Sequence, residues 1–302
     1  MKTSAFTLAF AASSALASAP STINTSWKKT LFLDDFTGGS GSAPDSSKWI
    51  MQTGTSYPGG PPQWGTQEVQ TYTSSGNNIR QAGNGDLWII PTRSNTNNGN
   101  GTWTSARLET RQSNFQAPVG GKLRVEARIK IPNVIGSNAA GYWPAFWALG
   151  SSFRQNNNYW SWPSVGEIDI MENINGQDSV VNTIHCHINP GGICNEPNGL
   201  GGTYNCSGSR CPGNYHIYEI VIDRSVKPEV VKFWVDRKLK RTVSQTQLGS
   251  AWTKTVNSGF FLILNVAMGG AYPNAVAGMQ TPTNETVSGR EMAVDYVGVW
   301  ST

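Results

Sequence analysis

Alternation of apolar and polar positions, rather than a helical period, organises this chain. Short runs rich in β-branched, aliphatic and aromatic residues recur between clusters of Gly, Asn, Pro and Ser. They are Leu87–Ile90, Lys122–Ile131, Trp143–Leu149, Glu167–Met171, Val180–His187, Tyr215–Ile222, Val230–Val235, Phe260–Met268 and Met292–Trp300. Leu123-Arg124-Val125-Glu126-Ala127-Arg128-Ile129 alternates cleanly, which predicts a strand with one face in the core and one in water. Many strands, no helix-rich half and no internal repeat predict an all-β sandwich that occupies residues 20–302 as one domain. The Asn- and Gly-rich stretch Thr92–Thr104 reads as a loop within that domain. Gly192–Gly213 reads as a long loop pinned by cysteines, a feature commonly tied to function.

One predicted strand breaks the alternation in an informative way. Glu167-Ile168-Asp169-Ile170-Met171-Glu172, preceded by Gly166, holds three carboxylates in six positions. Glu167 and Asp169 share a face, whereas a regular strand would send Glu172 to the other. The adjacent apolar pair Ile170 and Met171 predicts a one-residue bulge, with Met171 as the device that returns Glu172 to its fellow acids. Three like charges on one face repel, and at least one carboxyl must hold its proton above the ordinary range. Glycoside hydrolysis uses that split, with one ionised carboxylate and one protonated carboxyl. A calcium site and a solvated edge strand are the alternatives. The flanking apolar residues oppose an edge, and calcium loops are richer in Gly, Asp and Asn turns.

Residues 1–19 have the pattern of a secretory leader, with Lys2, an apolar Ala5–Ala12 run, and small-x-small sites ending at Ala17 and Ala19. Pro20 favours cleavage after Ala17. No later segment reaches membrane length, so a secreted, extracellular and monomeric protein is expected. In that compartment Cys186, Cys194, Cys206 and Cys211 are expected to form disulfides. Three pairings are open, and compact loops favour Cys186–Cys194 with Cys206–Cys211. A zinc site with His185 and His187 fits no usual ligand spacing. Sequons stand at Asn24, Asn100, Asn205 and Asn284. The net charge of +4 is scattered rather than clustered, which argues against a nucleic-acid partner.

The chain carries 12 tryptophans, more than packing alone asks for, and aromatic faces suit the C–H faces of sugars. Trp143 and Trp147, four apart on a strand, share a face. Trp160 and Trp162 sit in a loop just before the acids, and Trp64 precedes the polar Gln67-Glu68-Val69-Gln70. Trp103 and Trp252, in polar surroundings, read as rim platforms, and Trp300 as core.

Gly166-Glu167-Ile168-Asp169-Ile170-Met171-Glu172 resembles the signature of glycoside hydrolase family 16 in its bulged, laminarinase-type form. The likeness continues in order through Leu33-Asp34-Asp35-Phe36, Trp64–Gln70, Ser105-Ala106-Arg107, Gly120–Lys130, Gly141–Gly150, Leu262–Gly270 and Val294-Asp295-Tyr296-Val297. It implies a β-jelly-roll sandwich of two antiparallel sheets with a concave substrate cleft. The implied activity is retaining, endo-acting cleavage of β-1,3- and mixed β-1,3-1,4-glucans. Carried over by position, Glu167 is the nucleophile, Glu172 the acid/base and Asp169 the electrostatic assistant between them. His185 is implied to support the acids from the neighbouring strand. The two reacting carboxyls are then expected about 5–5.5 Å apart.

Trp147, Trp162, Trp143, Gln67, Glu68, Asn265 and Tyr272 are the implied sugar contacts. No cofactor is implied for catalysis, though a structural calcium near Asp295 is. The chain departs from the family pattern at Thr66-Gln67-Glu68, at Glu109, at Tyr272 and in the loop from Cys186 to Cys211. That loop resembles a secreted, fungal-like and bacterial branch, which keeps β-1,3-galactan cleavage open beside glucan transglycosylation. A β-glucan-binding lectin would have lost the three acids, and a structural wall protein would show repeats.

Overall fold

The alternating segments assemble into two large antiparallel sheets in the computed structural model, which describes residues 27–94 and 101–302. The expected leader and the sequons at Asn24 and Asn100 lie outside those residues. One seven-stranded sheet runs, in spatial order, Leu200–Tyr204, Val180–His185, Glu167–Glu172, Tyr142–Gly150, Phe260–Met268, Arg107–Thr110 and Trp49–Gln52. The eight-stranded sheet runs Lys238–Ser244, Val230–Val235, Tyr215–Asp223, Lys122–Lys130, Met292–Ser301, Leu87–Ile89 and Ile79–Gln81, with Lys29–Asp34 also paired to Met292–Ser301. Thr71–Tyr72, Trp103–Ser105 and Thr92–Arg93 form a small third sheet.

The inward faces of the two sheets share one core. Ile168, Ile170 and Met171 meet it from the seven-stranded sheet, and Val125, Ala127 and Ile129 from the other. Phe260–Met268 is buried at every position because both of its faces are covered. Its inward residues join the main core, while Phe261 and Ile263 join a second cluster with Tyr57, Leu149, Phe153 and Val165. That second cluster lies on the outward face and braces the ground beside the acids.

The expected wet face of Lys122–Lys130 is not wet at its centre. Glu126 is fully buried, bonded to the Tyr296 hydroxyl at 2.6 Å and to the guanidiniums of Arg124 and Arg237. Tyr296 comes from the adjoining strand, Arg237 from the turn after Val230–Val235 and Arg124 from the same strand, where Trp300 covers it at 5.3 Å. Trp103 and Trp252 are likewise not rim platforms. They are only 5% and 1% exposed, and Trp252 donates its indole N–H to Glu229 at 2.9 Å.

Gly192–Gly213 is not loop throughout, since Leu200–Tyr204 pairs with Val180–His185 as the edge strand of the acid-bearing sheet. The disulfides are Cys186–Cys194 and Cys206–Cys211, the pairs that close the shorter loops. Among the described residues no helix is long and apolar enough to cross a membrane.

Candidate active site

Gly166 launches the acidic strand from a backbone that only glycine fits. Its φ is +83°, and a Cβ there would stand 2.5 Å from the Cα of Thr255. From that start Glu167 faces Leu149 and His185, and Asp169 faces Trp147 and Thr183. The register then slips. Met171 opposes Phe146 and Glu172 opposes Ala145, so Ile170 is the residue left without an opposite. Ile170, not Met171, is therefore the extra residue. Both side chains turn into the core, as the bulge requires, and Glu172 emerges on the face of Glu167 and Asp169.

Each acid has different company. Trp143 donates its indole N–H to Glu172 Oε1 at 2.7 Å. His185 sets Nε2 at 3.4 Å from Asp169 Oδ2 and 4.0 Å from Glu167 Oε1. Asp169 Oδ2 is buried without a hydrogen-bond partner. The Glu167 side chain, 14% exposed, is open to the outward face. Burial pushes Glu167 up to about 7, with His185 pulling down and Glu172 pushing further up. Burial also raises Asp169 well above its ordinary value, assisted by the charges of Glu167, Glu172 and Glu196. Glu172 is raised by burial against the opposing pull of the Trp143 N–H and His185. Burial alone would lower His185, but the hydrogen bond to Glu196 and the surrounding carboxylates raise it, which favours the imidazolium. The cluster thus holds protons and charges together at neutral pH.

Around the acids stands a polar and aromatic floor. Trp143 and Trp147 share the outward face with the small Ala145 between them. Trp147 gives its indole N–H to Asn265 Oδ1 at 2.7 Å, and Asn265 Nδ2 donates to the Tyr72 hydroxyl at 3.0 Å. Tyr72 passes its own proton to Glu68 at 2.8 Å. Glu68 is buried and also accepts from Thr66 and Gln70, so it orients this chain rather than lying open to a ligand. Gln67 is exposed beside it. Trp162 covers His185, ring centres 5.5 Å apart, and Tyr272 meets Trp143 edge-on at 5.8 Å. Trp160 is 70% exposed with its N–H fixed to Gly59 O at 2.8 Å.

Two residues here were not among the expected site residues. The guanidinium of Arg107 lies 4.7 Å from the Trp64 ring centre and 4.8 Å from that of Trp147, and it pairs with the buried Glu109 at 3.0 Å. Its signal was an Arg and a Glu two apart, hence on one face of an apolar strand. Glu196 binds His185 Nδ1 at 2.7 Å from the disulfide loop. The pointer to it was the Cys186–Cys194 closure, which folds the following residues back onto His185.

Glu167, Asp169 and His185 bring three donor atoms within 4.8 Å of one another. His185, raised by its acidic neighbours, faces the two carboxylates from the adjoining strand. Asp295, near which a structural calcium was expected, has Arg128 Nη1 on Oδ2 at 2.9 Å.

Comparison with known proteins places this geometry in context. A family profile described as "XgeA-like, catalytic GH16 domain" matches residues 69–205. A β-glucanase from Rhodothermus marinus is 31% identical over 265 residues, which span 85% of this chain and 80% of that protein. The crystal structure of an endo-1,3-β-glucanase from Streptomyces sioyaensis superposes with a TM-score of 0.87 at 50% identity, covering 92% of this chain and 97% of its own. An endo-β-1,3-glucanase from Pyrococcus furiosus superposes with a TM-score of 0.69 at 31% identity, covering 91% and 94%. None of these relatives is fungal, and the fungal-like affinity expected of the cysteine loop finds no support in them.

Proposed function

The chain belongs to glycoside hydrolase family 16, and from that premise we propose that it cleaves internal β-1,3 bonds of glucans such as laminarin, and mixed β-1,3-1,4 bonds such as those of lichenan. The observation that carries this reading is the bulged strand, which turns Glu167, Asp169 and Glu172 to one face beside two hydrogen-bonded indoles. Glu167, the most open of the three, attacks the anomeric carbon as the carboxylate. Glu172, held by Trp143, gives its proton to the departing glycosidic oxygen. The resulting glycosyl ester on Glu167 is then released by water, whose proton returns to Glu172, and the anomeric configuration is retained.

Asp169 lies between them, and its Oδ2 has no other hydrogen-bond partner. Raised as it is, it keeps its proton while Glu167 is ionised, which spares the site two adjacent negative charges. The chemistry draws on side chains alone. Trp147 and Trp143, with Trp162 and Trp160 toward the rim, offer faces for successive sugars, and Tyr272 extends that surface past Trp143. The two disulfides support work in an oxidising, extracellular setting.

Reducing-sugar release from laminarin, lichenan and de-arabinosylated arabinogalactan tests the assignment, with the first-formed anomer followed by NMR. Release from laminarin with a β product is expected. Release from the galactan alone, or an α product, would overturn it. Glu172→Gln is expected to lower kcat by about 10²–10⁴-fold on polysaccharide.

A further inference from the structure

His185 is gripped from behind by a carboxylate that the reaction scheme above does not use. Glu196 has a fully buried side chain, and both of its oxygens are engaged. Oε2 meets His185 Nδ1 at 2.7 Å, and Oε1 accepts the backbone N–H of Cys186, the residue next to His185, also at 2.7 Å. Its main chain is clamped as well. The N–H of Glu196 donates to Gly191 O at 2.6 Å, and the N–H of Gly191 donates back to Glu196 O at 2.7 Å. The Cys186–Cys194 disulfide closes the segment that carries this bridge. Further on, Gly199 (φ +69°) lets the chain lie against the imidazole, because a Cβ there would stand 2.7 Å from His185 Cε1.

We propose that Glu196 is a positioning residue for glycoside hydrolysis: anchored by the disulfide loop, it keeps His185 doubly protonated, with the Nε2 proton turned onto Glu167 and Asp169. This rests on the hydrolase reading above. The titratable groups facing His185 are Glu167 and Asp169 from the adjacent strand, Glu172 beyond them and Glu196 from the loop, all of them acids. A fourth buried carboxylate beside three others is costly unless a cation sits against it, and the imidazolium is that cation. A loop that needed only a partner for the Cys186 N–H had no use for a charge. With Nδ1–H committed to Glu196, the opposite nitrogen presents its proton to the nucleophile side. His185 thereby helps Glu167 stay ionised for attack despite its burial.

Glu196→Gln tests this, because it removes the charge and replaces one of the two accepting oxygens, which the Cys186 N–H and His185 Nδ1–H use separately, with an NH₂ donor. The imidazole then gives up its proton more readily. Three readouts are expected. The His185 C2–H resonance titrates at lower pH than in the parent protein. The acid limb of kcat/KM on laminarin moves up by about one pH unit or more, as Glu167 loses a cationic neighbour. Glu196→Asp moves both back toward the parent values.

A folded Glu196→Gln protein with an unshifted His185 titration and acid limb would overturn the proposal. So would a rate loss uniform across pH, which is the mark of a merely structural role. Should the variant not fold, the parent protein decides: ¹⁵N shifts showing His185 neutral at pH 6 sink the idea, and an imidazolium at pH 7 sustains it. A parent protein inactive on every glucan would defeat the hydrolase reading, while the NMR titration would still test the grip of Glu196 on His185.

Discussion

Trp143 donates its indole N–H to Glu172 at 2.7 Å, so one side chain both floors the cleft and sets the strength of the acid beside it. Burial raises Glu172, and this hydrogen bond restrains the rise by favouring the ionised form. Trp143→Phe keeps a flat ring and removes the donor. The pKa of Glu172 should then climb, moving the alkaline limb of the kcat–pH profile upward, with kcat at the parent optimum reduced by about tenfold. A pH-rate series on laminarin measures both. An unmoved alkaline limb would show that Glu172 is not the group whose proton loss ends activity.

Glu167→Gln should lose activity and gain stability. A carboxyl whose folded-state pKa lies above its unfolded one opposes folding once it is ionised. For Glu167, raised from 4.5 to about 7, the penalty is absent below the unfolded value and complete above the folded one. The variant is therefore expected to be more stable at pH 8 by about 1–3 kcal/mol, with the gain gone by pH 4. Thermal melts at the two pH values check it, and an equal gain at both would point to a cause other than ionisation.

Tyr72 hands the orientation of Trp147 back to the buried Glu68 by way of Asn265. Tyr72→Phe leaves the Asn265 amide without an acceptor and removes one donor from Glu68. A stability loss of about 1–3 kcal/mol is expected from the unpaired groups. KM for laminarin should rise more than kcat falls, because the role proposed for Trp147 is to stack sugar and its indole is tied to Asn265 rather than to the acids. Chemical denaturation and steady-state kinetics separate the two effects.

Gly166→Ala should be among the more damaging small changes in the chain. It asks an L-residue to hold φ at +83° and drives a methyl group to within 2.5 Å of the Thr255 backbone. A loss of at least about 2 kcal/mol is expected. Activity should fall alongside, because the same residue aims Glu167. A variant as stable and active as the parent would show that the loop yields more readily than its contacts suggest.

The parts legible in the sequence were those governed by local rules. Alternation marked the main strands, the apolar pair Ile170 and Met171 announced the bulge, and loop length favoured the disulfide pairs that form. What escaped depends on distant segments meeting. Glu126 alternates like a solvated residue, yet Tyr296 from another strand and Arg237 from the turn after Val230–Val235 close over it. Trp252 has polar neighbours in sequence but Glu229 as its buried partner. Leu200–Tyr204 carries two glycines and little apolar surface, so its place in the sheet comes from the backbone pairing of Val180–His185. Glu196 sits in a Gly/Asn/Pro stretch with no periodicity, and only loop closure brings it to His185.

The unopposed Ile170 has a consequence for how the chain tolerates changes in length. Removing one residue from the Ile170–Met171 pair restores strict alternation, and the third acid still faces outward two places beyond Asp169. Adding one residue to the pair also restores alternation, with the acid four places beyond Asp169, whereas taking both away sets it next to Asp169 and turns it into the core. In sidedness the site is thus indifferent to one residue more or one fewer and intolerant of losing both. What the extra residue contributes is a second apolar anchor beneath the acids and a bend in the strand that carries them.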